Sequence, residues 1–153
     1  MTKFKICIDT KSNNFIEEIS KQGNLLSQFY ISINEWVFPS RSWLDFPVIV
    51  LNWWIEGYIN LFKQTNPIEN SFMNGPYEFT SSIIGKNVEL KFFQTTKLGN
   101  QEVGSYCILL NDYRAALIQA TNNLLKAIEQ ESFSNSDIEQ LKDLFYQISS
   151  HRN

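Results

Sequence analysis

Near the start of the chain, hydrophobic and polar residues alternate with a period of two. Lys3 to Asp9 reads as a strand on this pattern. Phe29, Ile31 and Ile33 alternate in the same way with Tyr30, Ser32 and Asn34, as half-buried strands do. Between them the period changes. Phe15, Ile16 and Ile19 fall on one face of a short amphipathic helix over Ser12 to Gln22, with Gly23 placed to end it.

A longer helix follows, with Asp45 in position to cap it and Pro47 in its first turn, where a missing N–H costs nothing. At 100° per residue, Leu51, Trp54, Tyr58 and Leu61 share one face, while Asn52, Glu56, Asn60 and Lys63 form a polar stripe. Trp53 falls on the flank beside Gly57, so Trp54 is the expected core tryptophan and Trp53 the more exposed one. Asn66-Pro67 closes this region.

The alternation then returns. Tyr77 to Ile83 and Asn87 to Gln94 are two strands joined around Gly85, and a turn at Gly99-Asn100 leads to a third, Glu102 to Leu110. These three predict an antiparallel meander. From Asp112 onward, Tyr113, Ala116, Leu117, Ala120, Leu124 and Ile128 keep helical spacing. Ser136 with Glu139 has the form of a capping box, opening a last helix with Ile138, Leu141, Phe145 and Ile148 on one side.

This order predicts an α+β domain over residues 1–153: an antiparallel sheet of about five strands, with a long central helix and two C-terminal helices packed on it. No internal repeat or linker divides the chain. With 43% apolar and 14% aromatic residues there is ample material for a core. All four tryptophans fall between Glu35 and Gln64, which places the centre of that core.

Composition narrows the function. A net charge of −3 argues against a general nucleic-acid binder, which usually carries a basic stripe. The apolar run Phe46 to Phe62 is only seventeen residues long and contains Asn52, Glu56 and Asn60. It reads as a buried helix, because an ionised Glu at a bilayer centre costs about 2.5–3.5 kcal/mol or more. The opening MTKFKICIDTK has no segment of signal-peptide length. Cys7 and Cys107 both fall in strand-like runs and are expected as buried free thiols in a reduced compartment. The cytoplasm is the expected location, with no membrane partner.

Residues for chemistry are scarce. The single histidine is His151, three residues from the end, and no CxxC or HExxH spacing occurs. Glu35 and Asp45 flank the aromatic loop as a conceivable acid/base pair, but read more simply as a surface residue and a helix cap. Glu56 reads as part of a solvent-facing or interface stripe. No catalytic, cofactor-binding or metal-binding residue is therefore expected. What stands out is acidic: Glu129, Glu131, Asp137, Glu139 and Asp143, against Lys142 alone. Glu35 and Glu78 form a second group, and Trp53 is a candidate anchor. Such surfaces attract a basic partner and speed its association.

The string VFPSRSWLDFPVIVLNWW, followed by FMNGPYEF and a final helical pair, resembles small bacterial immunity proteins of contact-dependent growth inhibition and related polymorphic toxin systems. The resemblance runs from about Phe29 to Ile128. Its motif residues Phe38, Pro39, Trp43, Asp45, Trp53, Trp54, Gly75 and Pro76 have the look of packing, capping and turn positions, so it transfers no catalytic residue. It implies a protein that neutralises a cognate toxin domain, typically a nuclease, by binding it one-to-one. Two other readings remain: a small-molecule domain with a cleft lined by Trp53 and Tyr77, or a non-catalytic subunit anchored by Trp53 or Trp36.

Overall fold

A computed structural model describes residues 2–11 and 25–150; the helix expected over Ser12 to Gln22, and His151, lie outside them. The described chain is α+β, with two antiparallel four-stranded sheets and three helices. In the first sheet β2 (Ser27–Ile33) is central. It pairs with β1 (Phe4–Ile8) on one side, and with β3 (Trp36–Phe38) and then β4 (Leu44–Asp45) on the other. The second sheet has the order β5 (Ile68–Ser71), β6 (Tyr77–Ile84), β7 (Asn87–Thr96), β8 (Gly99–Leu109).

The expected single sheet of about five strands is thus corrected to eight strands in two sheets. The meander β6–β7–β8 is present as expected, with Ile83 opposite Val88 and Phe79 opposite Phe92. The strands that pattern reading omits are β3, β4 and β5, of three, two and four residues. Runs that short hold too few alternations to register as a period.

Helix α1 (Pro47–Asn60) starts with Pro47 in its first turn, as expected, but Asp45 does not cap it. The capping position is Phe46, in an extended conformation and without a side-chain cap. Trp54, Leu51 and Tyr58 are fully buried, whereas Trp53 is 43% exposed. The two C-terminal helices are α2 (Leu110–Gln130) and α3 (Ser136–Ser150). The cap of α3 is Asn135, whose Oδ1 accepts the Ile138 N–H at 2.8 Å, one position before the Ser136 of the expected capping box. Glu139 instead accepts from the Ser134 hydroxyl at 3.0 Å.

Helix α1 packs against β5 and against both later helices, and α2 covers β1, β7 and β8. Close approach of α1 to β5 depends on Gly57, because a Cβ there would lie 2.6 Å from Asn70 Oδ1 and 3.1 Å from Ile68 Cγ2. Between the sheets and α1 lies an aromatic cluster. Trp54 sits 5.1 Å from both Phe29 and Phe72, and 4.9 Å from Phe79, ring centre to ring centre. Phe38 and Phe92 continue the cluster at 5.0 Å. Tilted and edge-on contacts at these separations add to the burial of each ring. The Trp54 indole N–H donates to Ser71 C=O at 2.8 Å, so this buried tryptophan leaves no polar group unpaired.

Burial departs from expectation at the cysteines. Both are free thiols, but Cys107 is exposed and Cys7 only half-buried. Strand alternation explains Cys107: its neighbour Ile108 points inward opposite Val88, which leaves Cys107 on the outer face opposite Glu89.

Candidate functional site

Two places in the fold combine a tryptophan with carboxylates, and they differ in kind. The first is the motif loop. Asp45 is fully buried. Its carboxylate accepts from Phe46 N–H at 2.8 Å, the Trp43 indole N–H at 3.0 Å, and the N–H groups of Met73 and Asn74 at 3.2 Å each. The Asn74 side-chain amide donates back to Leu44 C=O. The Trp43 ring packs edge-on against Tyr77 at 4.9 Å and lies over Gly75, where a Cβ would be 2.5 Å from the indole. Gly75 also has φ +69, a conformation that glycine adopts without strain.

Asp45 therefore acts as a clasp joining β4 to the turn before β6. A buried carboxylate with four donors is satisfied where it stands and has no role left to play toward a substrate. Glu35 does not join it. Asp45 pairs with Ser27 at one end of β2, and Glu35 follows Ile33 at the other. At about 3.3 Å per residue, six residues of strand hold the two ends about 20 Å apart.

The second place is the surface shared by α1 and α3. The polar stripe read from the sequence turns out to be a helix contact at its start. Asn52 is buried and donates its amide to Asp137 C=O at 3.0 Å. One turn on, Glu56 Oε1 accepts from the Gln140 amide at 2.9 Å. Asp137, Gln140 and Asp143 follow each other at three-residue spacing, so they line one flank of α3. Trp53 lies three residues before Glu56 on α1, so the two are neighbours on the surface of that helix. The resulting surface carries Trp53 and the carboxylates of Glu56, Asp137 and Asp143, and Tyr146, 75% exposed, follows Asp143 three residues on. Among the described residues, no cation pairs with any of the three carboxylates.

The sequence-predicted acidic group is thereby divided. Asp137 and Asp143 belong to the Trp53 surface. Glu139 lies one turn before Asp143 on the same side of α3, but it is held by Lys142 at 2.9 Å. The Lys142 ammonium and the Ser134 hydroxyl hold the Glu139 carboxyl below its ordinary value. Glu129 and Glu131 are exposed at the C-terminal end of α2, where carboxylates face the negative end of the helix dipole and are unfavourable for the helix. Glu78 lies on the outer face of the second sheet, opposite Phe93, and accepts from the Asn100 amide at 2.7 Å. That is the far side of the sheet from α1, so Glu78 does not join Trp53. Glu35 is exposed in the β2–β3 turn. Tyr77 is half-buried against Trp43 and Phe38.

Sequence reasoning missed the pairing of Glu56 with Gln140, which are 84 positions apart. The available signal was the regular Asn52–Glu56–Asn60 spacing, which marked a shared polar face without naming its neighbour. Among the described residues no three His, Cys, Asp or Glu side chains cluster as metal ligands, and no helix is long and apolar enough to cross a membrane. Comparison with protein-family models, with characterised proteins and with solved structures brought out no match.

Proposed function

We propose that this chain is an immunity protein, which binds a cognate toxin domain one-to-one and neutralises it without catalysis. The α1–α3 surface is its docking face. The observation that carries the reading is Trp53, 43% exposed next to Glu56 on a helix packed against α3, with Glu56, Asp137 and Asp143 all without a cation partner among the described residues. Tryptophan is among the residues enriched at interface hot spots, and an exposed aromatic beside acidic side chains suits a basic partner. Toxins that act on nucleic acid are commonly basic because they approach phosphates. The resemblance of the motif loop to immunity proteins supports the same reading. The motif residues Trp43, Asp45 and Gly75 serve the fold, which leaves binding to residues outside them.

The test is protection. Cells producing the toxin domain encoded beside this chain should survive when they also produce the wild-type protein. Trp53→Ala with Glu56→Lys should lose that protection while keeping the wild-type melting temperature. Full protection by this double variant would remove the α1–α3 surface from the proposal. Absence of protection by the wild type would remove the immunity reading.

A further inference from the structure

Strand β1 is the edge of the first sheet, and its main-chain groups follow a strict parity. Lys3 C=O accepts from Asn34 N–H, and Asp9 N–H donates to Gln28 C=O. In an antiparallel pair such bonding residues alternate with non-bonding ones. Lys3, Lys5, Cys7 and Asp9 therefore turn their main-chain groups toward β2. Phe4, Ile6 and Ile8 turn theirs outward, and no strand among the described residues takes them. Along this edge runs an open groove of about 580 Å³ between residues 2–7 and one stripe of α2: Asp112, Ala115, Ala116, Gln119 and Asn123. The two alanines keep the wall of the groove low.

We propose that this edge is a dimer interface, occupied by β1 of a second copy in antiparallel register with the two-fold axis at Ile6. Only this register uses the whole strand with complementary partners. Phe4, Ile6 and Ile8 then face Ile8, Ile6 and Phe4 of the other copy, and every outward N–H and C=O on both strands is paired. On the other face Lys5 meets Cys7, and Lys3 meets Asp9, in the closer non-hydrogen-bonded positions. Sliding one strand by two residues one way sets Lys5 against Lys5. Sliding it the other way sets Lys5 against Asp9 but Lys3 against Lys11, and keeps only Ile6 to Ile8 of the strand in mutual pairing. Strand overlap and the charge order Lys3, Lys5, Asp9 together thus select a single self-complementary pairing, and the contact is isologous, as a two-fold dimer requires. It lies away from the Trp53 surface, so its outcome is separate from that of the immunity reading.

Sedimentation velocity on the full chain over a concentration series should reveal a monomer–dimer equilibrium. Lys3→Asp should weaken the dimer roughly ten-fold by placing like charges opposite each other at two symmetric positions. Adding Asp9→Lys should restore it. Register is read separately by oxidation. Lys5→Cys in a Cys107→Ser background should form an interchain disulfide with Cys7, because directly opposed positions bring Cβ atoms within bonding reach. Cys107→Ser alone should not. Adding Cys7→Ser to the Lys5→Cys variant should abolish the cross-link; one that survives Cys7→Ser overturns the register. A monomer at all concentrations, with no cross-link in the Lys5→Cys variant, overturns the proposal. A disulfide dimer formed by Cys107→Ser alone overturns the register.

Discussion

The clasp around Asp45 and the surface around Trp53 are built from the same residue types, yet they do opposite things. In the clasp, Trp43 donates to the carboxylate, three main-chain N–H groups complete it, and the indole is covered by Gly75 and Tyr77. On the surface, Trp53 donates no hydrogen bond within the described residues, and Glu56 accepts one bond from Gln140. Closure of the bonding explains the first without a partner. Its incompleteness in the second leaves an aromatic and several charges available. Neighbours in sequence, Trp54 and Trp53 show the same contrast: one is fully buried with its N–H satisfied, the other is 43% exposed.

The comparison breaks most readily at the buried end. Trp54→Ala should cost about 3–5 kcal/mol in chemical denaturation, enough to unfold most of the population of a domain with ordinary stability. Asp45→Ala should cost about 3 kcal/mol or more, since it strands several buried donors. Asp45→Asn should also destabilise, because an amide offers one acceptor oxygen where the carboxylate offers two. A change under about 0.5 kcal/mol in Asp45→Ala, the range of ordinary surface substitutions, would remove the clasp from this account.

A smaller loss is expected at Gly57→Ala. The new methyl must displace Asn70 or shift α1 from β5, an overpacking that typically costs about 1–3 kcal/mol. Trp53→Ala sharpens the comparison from the other side. Its melting temperature should stay near that of the wild type, while affinity for the toxin domain falls by about 2 kcal/mol or more, as at an interface hot spot. Comparable stability losses at Trp53 and Trp54 would mean that the two environments are not distinct.

The smallest effect belongs to Glu139. Its carboxyl is held low by Lys142 and Ser134. The folded-state value lies below the unfolded one, so the contribution is fully present above the ordinary glutamate range. It is lost as pH falls through the depressed value. The group is exposed and screened, so Glu139→Gln should leave melting curves near neutral pH almost unchanged. A pronounced stabilising role at neutral pH would show that α3 depends on its surface charges after all.

Periodicity is why the helices and the meander could be read from the chain: α1, α2, α3 and β6 to β8 each hold several repeats of one pattern. The neighbouring tryptophans were separable for the same reason, since one residue is 100° of rotation on a helix. The clasp was only half legible. Trp43, Asp45 and Gly75 stood out in the motif, but Asp45 read as a helix cap because a local rule was applied to a residue with partners 28 and 29 positions away. Likewise the acidic run from Glu129 to Asp143 looked uniform in sequence, while in the fold Lys142 pairs with Glu139 and leaves Asp143, one turn further on, without a cation among the described residues. The meeting of Glu56 with Gln140 depends on the packing of α1 on α3, and no period within either helix encodes it.

The central claim is that the α1–α3 surface receives a basic toxin domain. Its most direct test is the association rate of that domain, from the gene beside this chain, with wild type and with Glu56→Lys/Asp143→Lys at low and high salt. Attraction between opposite charges is screened as salt rises, and it acts mainly on the rate of encounter. The account predicts fast association by the wild type that slows with salt, a markedly slower and less salt-dependent rate for the variant, and equal melting temperatures. Association that is independent of salt and identical in both proteins would contradict it.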